Sequence, residues 1–167
     1  AVKMNAGCYG GQTADNLERI LTIDKYGKVQ YLNSNELDLN YRSSSLSDDM
    51  IILQADFNYE FGKKSLIIEK NNLIKFKRQT SQPIREKTSG STFKNPSGEF
   101  AAALIERAGC KGMKNGGASV SKIHSNFLIN HGDATAIDIE NLGKKIIKKV
   151  QEKFGITLEW EIKIIGT

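Results

Sequence analysis

The sequence predicts an α+β fold, and three patterns in the chain of 167 residues carry this prediction. Residues 17–24 and 28–32 are rich in β-branched and aromatic side chains, which is typical of strands. Apolar residues recur at helical spacing between Ile139 and Val150, and they alternate with polar residues from Ile156 to Ile164. No internal repeat or low-complexity tract is present, so strands and helices are expected in separate runs along the chain.

The amino-terminal part is predicted to contain a small sheet followed by a helix. A turn at Lys25-Tyr26-Gly27 joins the first two strands into a hairpin, and a third strand is expected from Met50 to Phe61. From Ser65 to about Gln79 the pattern is helical. One face of this helix collects three apolar residues: Leu66, Leu73 and Phe76.

We place a domain boundary near Lys63, so that residues 1–63 belong to a sheet domain and residues 64–167 form a second, small α+β domain. In the second domain, residues 100–107 predict a short helix with Gly109 at its carboxyl end.

The remaining elements follow from residue 120 onward. Residues 120–130 predict one or two strands, and Thr135 is typical of an N-cap for a helix that reaches about Lys153. Gly155 ends this helix, and the alternating segment 156–164 predicts a half-buried strand.

Composition and charge exclude several classes of protein. The chain is 39% hydrophobic with a net charge of +5, and it has no apolar run of membrane-spanning length. Two distant cysteines, Cys8 and Cys110, indicate neither a disulfide scaffold nor a metal site, and they favour a cytoplasmic location. Four lysines lie opposite an apolar stripe and are interpreted as a solvated face rather than a nucleic-acid surface: Lys144, Lys145, Lys148 and Lys149.

A short loop from Ser89 to Pro96 carries more chemistry than packing requires. Between a flexible glycine, Gly90, and a rigid proline it holds a hydroxyl at Ser91, a cation at Lys94 and an amide at Asn95. Such a loop can present all three groups to one ligand. On local chemistry alone, an ordinary serine-glycine turn ahead of a helix remains the alternative.

Several motifs, in matching order along the whole chain, resemble those of the UDP-N-acetylenolpyruvoylglucosamine reductases (MurB), the flavoenzymes of bacterial cell-wall precursor synthesis. The motifs are Met4-Asn5-Ala6-Gly7-Cys8-Tyr9-Gly10-Gly11, Tyr41-Arg42-Ser43-Ser44-Ser45-Leu46, Gln82-Pro83 with the serine loop, Gly116-Gly117-Ala118 with Val120-Ser121 and His124-Ser125-Asn126-Phe127, and Leu158-Glu159-Trp160-Glu161. The spacing between Arg42 and Ser91 resembles the subtype that lacks an extra substrate-covering loop with a tyrosine.

The resemblance implies reduction of UDP-N-acetylglucosamine enolpyruvate to UDP-N-acetylmuramate, with FAD as the cofactor and NADPH as the reductant. Arg42 and Glu161 match the groups that stabilise negative charge on the substrate carboxylate, and Ser91 matches the donor of a proton to the α carbon. Lys94 and Asn95 match substrate-binding positions. Lys94 is also the nearest cation in sequence to Ser91.

The resemblance also implies which residues flank the flavin ring: Asn5, Ala6, Gly7, Tyr9 and Gly10. Taken without the resemblance, Arg42 is a loop salt-bridge residue and Glu161 belongs to a solvated stripe with Glu159 and Lys163. His124 is interpreted as a structural hydrogen-bonding residue. Ser81 stands where several relatives carry a lysine, so a ligand contact there is left open.

Full-length relatives carry, ahead of the first motif, a glycine-rich segment that holds the flavin pyrophosphate, whereas this chain begins at Ala1. The resemblance therefore implies a carboxy-terminal fragment that is inactive on its own, with the missing amino-terminal segment of the same enzyme as a candidate partner. Within this fragment, residues 1–63 would be the remnant of the flavin-binding domain and residues 64–167 the substrate-binding domain. Two rival functions remain open at this point. One is a nucleotide-sugar-binding module without redox chemistry, and the other is an RNA-binding protein suggested by net charge alone.

Overall fold

The computed structural model describes residues 1–166 and confirms the α+β class. It divides into two compact units, residues 1–71 and residues 72 onward. No helix in residues 1–166 is both long and apolar enough to cross a membrane.

The first unit is built on a three-stranded antiparallel sheet in which the strand of residues 17–23 lies between the other two. Its strands are β3 (Leu17–Ile23), β4 (Val29–Asn33) and β5 (Ile51–Phe57), and they follow a two-residue hairpin of β1 (Gly7–Cys8) and β2 (Gly11–Gln12). The predicted hairpin of the first two long strands is thus confirmed. Its small core contains Leu17, Ile20, Leu37 and Leu46.

The turn between β3 and β4 shows why this hairpin forms. The Asp24 carboxylate accepts the N–H groups of Tyr26 and Lys28, both at 2.9 Å. Gly27 has a φ of +82°, which only glycine adopts without strain. The third strand is shorter than predicted, because regular pairing with β3 ends at Phe57 and residues 58–63 continue without ladder partners.

Helix α1 (Lys64–Ser81) confirms the predicted helix and extends it slightly at both ends. The three apolar residues predicted to share a face are all more than half exposed: Leu66, Leu73 and Phe76. Because α1 runs across the division between the two units, the boundary near Lys63 stays a prediction.

The second unit packs two helices against a sheet with the strand order β6-β7-β8. Its elements are α2 (Ala101–Arg107), β6 (Lys114–Asn115), β7 (Ala118–Val120), β8 (Leu128–Asn130) and α3 (Ala136–Phe154). The interval 120–130, predicted as one or two strands, therefore contains one whole strand, β8, and only the last residue of β7, with a loop between them.

Helix α3 has the boundaries that its sequence dictates. Thr135 Oγ1 accepts the Asp138 N–H at 3.2 Å, and the Asp138 carboxylate accepts the Thr135 N–H at 2.9 Å, which completes a capping box. Gly155 ends the helix with a φ of +71°. The predicted apolar stripe is also confirmed, because Leu142 and Ile146 are completely buried in the core.

The predicted terminal strand is wrong. Residues 156–164 make only one isolated bridge, between Trp160 and Phe93, and no regular ladder. The alternating burial holds at Leu158 and Trp160, which pack against the core, but it fails at Ile164, which is 58% exposed. The alternation reflects a few core contacts rather than continuous strand pairing.

Candidate active site

The serine loop lies extended beside residues 126 and 127. Ser91 is half-buried and forms an isolated antiparallel bridge with Phe127, and the Thr92 N–H donates to the Asn126 carbonyl at 2.8 Å. The Asn126 side chain adds two bonds to Phe93: its Oδ1 accepts the Phe93 N–H at 3.0 Å, and its Nδ2 donates to the Phe93 carbonyl at 2.8 Å. The loop is therefore held along one edge by backbone and side-chain bonds.

The opposite edge of the loop is held by the segment that contains Glu161. The Thr92 carbonyl accepts the Glu161 N–H at 2.8 Å, and the Lys94 N–H donates to the Glu159 carbonyl at 2.9 Å. Ser91 and Glu161 belong to neighbouring backbones joined directly through Thr92. The structure thus brings these two predicted catalytic residues together.

Trp160 anchors this segment to the core. Its ring lies 4.9 Å from the Phe93 ring, measured between centroids, and its edge covers Gly143 in the middle of α3. A Cβ at Gly143 would overlap the Trp160 ring, so a glycine is required in a helix interior that otherwise disfavours it. This contact fixes the backbone on which the next residue, Glu161, sits.

The two glutamates of the terminal motif differ in their surroundings. Glu161 is half-buried, whereas the Glu159 side chain is 74% exposed and its Oε2 lies 3.2 Å from Lys94 Nζ. Lys94, predicted to bind substrate and to lie near Ser91, thus has a carboxylate partner on the surface. Asn95 Oδ1 accepts the Ala101 N–H at 3.0 Å and so satisfies the first turn of α2.

His124 lies behind the serine loop and bonds within the protein. Its ring is in edge contact with Phe127 at 4.7 Å, and its Nδ1 accepts the Asn126 N–H at 3.3 Å. Burial lowers the pKa of His124, because the charged imidazolium is poorly solvated there. These contacts agree with a structural role for this residue.

In the first unit, Arg42 connects the arginine motif to the first motif. Its Nη2 donates to the Gly7 carbonyl at 3.1 Å, and its guanidinium lies 5.1 Å from the Tyr41 ring centroid. The Arg42 backbone has a φ of +53°, in the left-handed region that costs a non-glycine residue free energy.

Asn5 organises the first motif from inside. It is 1% exposed, and its side chain donates to Gln12 Oε1 at 3.0 Å and accepts the Ala14 N–H at 2.9 Å. Its Nδ2 also lies 3.2 Å from the Asn40 carbonyl. The Asn5 side chain is therefore turned into the protein, where it shapes the loop around β1 and β2.

The outer surface of the same motif is formed by exposed residues, several of them small. Tyr9 and Gly10 both have positive φ, at +52° and +83°, and Ala6 is exposed beside them. At Gly7 a Cβ would lie 2.8 Å from Gln12 Cβ, so only glycine allows β1 and β2 to approach this closely. A thin, glycine-bearing hairpin with exposed small side chains allows close approach of a planar group such as the isoalloxazine ring.

A half-open cavity of about 300 Å³ lies elsewhere in the second unit. Its wall includes Ser119, whose Oγ lies 2.8 Å from His131 Nε2, together with Lys114 and Lys122. The residues that line it include none of the predicted site residues. Among residues 1–166, no group of three or more His, Cys, Asp or Glu side chains is placed to hold a metal ion.

Sequence reasoning did not single out Asn126 or Trp160. Both act on the serine loop from positions more than thirty residues away along the chain, so no local spacing reveals them. The one available signal was the place of each within a matched motif.

Comparison with known proteins agrees with this arrangement. A sequence model of the UDP-N-acetylenolpyruvoylglucosamine reductase C-terminal domain matches residues 82–165. The enzyme of that name from Parvibaculum lavamentivorans is 46% identical over 166 residues, which cover 99% of this chain and 54% of that protein. The Rickettsia conorii enzyme is 46% identical over 165 residues, covering 99% of this chain and 56% of that protein.

A solved structure matches as well. The crystal structure of UDP-N-acetylenolpyruvylglucosamine reductase (MurB) from Thermus caldophilus superposes with a TM-score of 0.86 at 34% sequence identity, covering 98% of this chain and 58% of that one. The chain thus spans about half the length of the curated relatives it matches. On sequence and structure together, the chain belongs to the UDP-N-acetylenolpyruvoylglucosamine reductase family.

Proposed function

We propose that this chain carries the substrate-reducing residues of an enzyme that converts UDP-N-acetylglucosamine enolpyruvate to UDP-N-acetylmuramate for peptidoglycan synthesis. The observation that carries the proposal is the direct backbone link between Ser91 and Glu161 through Thr92. This link brings the backbones that carry a hydroxyl and a carboxyl next to each other, so both groups are proposed to act on one substrate. Family membership supports the substrate and the reaction.

The cofactor proposed for this reaction is FAD, with NADPH as the reductant. When bound, the reduced flavin supplies the electrons and one hydrogen for the enolpyruvyl double bond. Ala6, Gly7, Tyr9 and Gly10 would hold its ring at the outer surface of the first motif, and Asn5 shapes that surface from inside. Ser44 Oγ, buried without a hydrogen-bond partner among the described protein atoms, lies in the adjoining arginine motif.

Arg42 is proposed to hold the substrate carboxylate. As the double bond is reduced, negative charge builds on that carboxylate, and a fixed guanidinium stabilises it through paired N–H groups. The bond from Nη2 to Gly7 and the contact with Tyr41 orient the guanidinium before substrate arrives. Its role therefore depends on preorganisation as well as charge.

Ser91 is proposed to give its hydroxyl proton to the substrate α carbon. A serine hydroxyl is a weak acid, so this transfer requires a strongly basic carbon and donors that stabilise the resulting alkoxide. Glu161, whose N–H donates to the Thr92 carbonyl, is proposed to act with Arg42 in stabilising the negative charge that builds on the substrate carboxylate. Lys94 and Asn95 are proposed to contact the substrate further along the loop, in addition to their bonds within the protein.

We further propose that the reaction takes place in the cytoplasm. Cys8 and Cys110 are both free thiols, which a reducing compartment preserves.

Turnover with the pure substrate tests the function. The full-length enzyme that contains this chain, with flavin bound, is mixed with UDP-N-acetylglucosamine enolpyruvate and NADPH, and mass spectrometry follows the sugar nucleotide. We expect a product heavier by two hydrogens, formed in step with NADPH oxidation. Binding of the sugar nucleotide without any such product would instead identify a binding module and contradict the proposal.

A further inference from the structure

We infer that Asn126 is a positioning residue for Ser91, which it holds in place through the backbone of Thr92 and Phe93. The inference rests on the proposed function, in which the Ser91 hydroxyl delivers a proton. Asn126 bonds to the backbone of Thr92 and Phe93 rather than to the Ser91 side chain. Its effect is therefore exerted through another part of the protein.

Three hydrogen bonds connect Asn126 to the two residues that follow Ser91. The Asn126 carbonyl accepts the Thr92 N–H at 2.8 Å, and its side-chain amide pairs with both the N–H and the carbonyl of Phe93, at 3.0 and 2.8 Å. The side chain acts as a substitute peptide group. It continues the pairing of the two backbones by one residue beyond the Ser91–Phe127 bridge.

These bonds lie in a buried part of the molecule, where a polar group that loses its partner is destabilising. Asn126 is 4% exposed, Thr92 is fully buried, and Phe93 is 1% exposed. Water has little access to the Phe93 N–H and carbonyl, so losing Asn126 leaves two buried polar groups without their partner. The backbone then has to shift to satisfy them.

Such a shift reaches the catalytic groups directly. The peptide plane between Ser91 and Thr92 carries the N–H bonded to Asn126, and the Thr92 carbonyl carries the bond to Glu161. A movement of the Thr92 backbone therefore changes the distance between the Ser91 hydroxyl and its target. Misplacement by about 1 Å costs on the order of 10²-fold in rate.

Asn126 is itself held in place. Its N–H donates to His124 Nδ1 at 3.3 Å, and the neighbouring Phe127 ring is buried against His124 at 4.7 Å. The support beneath Ser91 thus consists of two layers, with Asn126 contacting the loop and His124 contacting Asn126.

The sharpest variant is Asn126→Asp. Aspartate has nearly the same shape, so it preserves packing and an acceptor for the Phe93 N–H, but as a carboxylate it cannot donate to the Phe93 carbonyl. Asn130→Asp is the matched control. There, Oδ1 accepts the N–H groups of Gly132 and Ala134 at 2.7 and 3.2 Å, and aspartate keeps both bonds.

Two readouts are made on the flavin-loaded protein. Single-turnover kinetics should show substrate reduction slowed roughly 10²-fold in Asn126→Asp, with flavin reduction by NADPH and the Asn130→Asp rates unchanged. In a Ser91→Ala background the same Asn126→Asp change should add almost nothing, because the group it positions is gone. Full additivity of the two changes would overturn the inference.

Hydrogen exchange provides a readout that does not depend on turnover. The Thr92 and Phe93 amides should exchange at least tenfold faster in Asn126→Asp, with global stability monitored in parallel and the Asn130→Asp protein as reference. Unchanged exchange at both amides would show that Asn126 does not hold this backbone in place, whatever the kinetic result. Faster exchange in Asn126→Asp, together with no turnover by the wild-type protein, would support the positioning by Asn126. It would show that the proposed function, rather than this inference, has failed.

Discussion

The two units of this chain hold their candidate site residues by different means. In the first unit, Arg42 and Tyr9 adopt left-handed backbone conformations. All non-glycine residues with positive φ among residues 1–166 belong to this unit. In the second unit, the backbones next to Ser91 and at Glu161 are fixed by hydrogen bonds and by a larger buried core. The first unit holds candidate residues in strained backbone conformations, whereas the second holds them without such strain and on a larger buried core.

The difference indicates which substitutions should displace the candidate site residues of each unit. A non-glycine residue in the left-handed region costs on the order of 1–3 kcal/mol and persists only where its surroundings enforce it. For Arg42 the enforcing contacts are those with Gly7 and Tyr41. In the second unit, single substitutions of core residues or of Asn126 should displace the site. Its geometry depends on contacts with residues that are distant in sequence.

The largest expected effect in the first unit comes from Arg42→Lys. Substrate reduction should slow about 10²-fold or more, because a compact ammonium cannot reproduce the paired grip of a guanidinium. Rapid-mixing kinetics of substrate reduction measures the change. Arg107→Lys is the control, since Arg107 stacks on Phe154 at 4.6 Å in the second unit and has no proposed catalytic role. Equal losses in both variants would remove the case for a specific role of Arg42.

In the second unit, Gly143→Ala tests positioning from a distance. The new Cβ overlaps Trp160, so overpacking should cost roughly 1–3 kcal/mol in the free energy of unfolding, despite the better helix propensity of alanine. Denaturant unfolding measures the loss, and the fluorescence of Trp160, the single tryptophan of the chain, reports its displacement. Lys144→Ala is the control on the same helix, because Lys144 makes only a surface ion pair with Glu140. An unfolding free energy as high as that of the wild type would show that the Trp160 contact does not constrain this segment.

A smaller effect is expected from pH at His124. Burial lowers its pKa in the folded protein, so between that value and the ordinary value of about 6.5 the unfolded chain binds more protons than the folded one. Stability of the second unit should therefore fall as pH decreases below about 6.5. Protonation also removes the acceptor for the Asn126 N–H.

Thermal unfolding between about pH 7 and pH 5 measures this dependence. Asp138 and Glu106 titrate below this pH range, because hydrogen bonds lower the pKa of both carboxyls. His124→Asn, which keeps an acceptor near the position of Nδ1, should flatten the profile. An unchanged slope in that variant would assign the pH dependence to another group.

Elements with strong local signals could be predicted from the sequence. Thr135, Asp138 and Gly155 fix the ends of α3 by short-range bonds, and Gly27 fixes the turn between β3 and β4. The site roles of Ser91 and Glu161 stay predictions, and the structure joins their backbones through Thr92.

What failed depended on distant partners. Alternation from Ile156 to Ile164 looks the same whether a segment pairs along its length or touches the core at two points, and here it only bridges Phe93. The role of Asn126 was equally hidden, because its two side-chain bonds join residues far apart in sequence. The sequence likewise gives no indication that the Asn5 side chain is turned inward.

The most direct test of the central claim is the rate of each half-reaction in Ser91→Ala, with Ser89→Ala, an exposed serine of the same loop, as control. Stopped-flow kinetics of the flavin-loaded enzyme should show substrate reduction slowed roughly 10²-fold or more in Ser91→Ala, while flavin reduction by NADPH stays nearly unchanged. Ser89→Ala should match the wild type in both steps. If Ser91→Ala slowed both half-reactions equally, or neither, Ser91 would be a turn residue and the proposed proton transfer would be wrong.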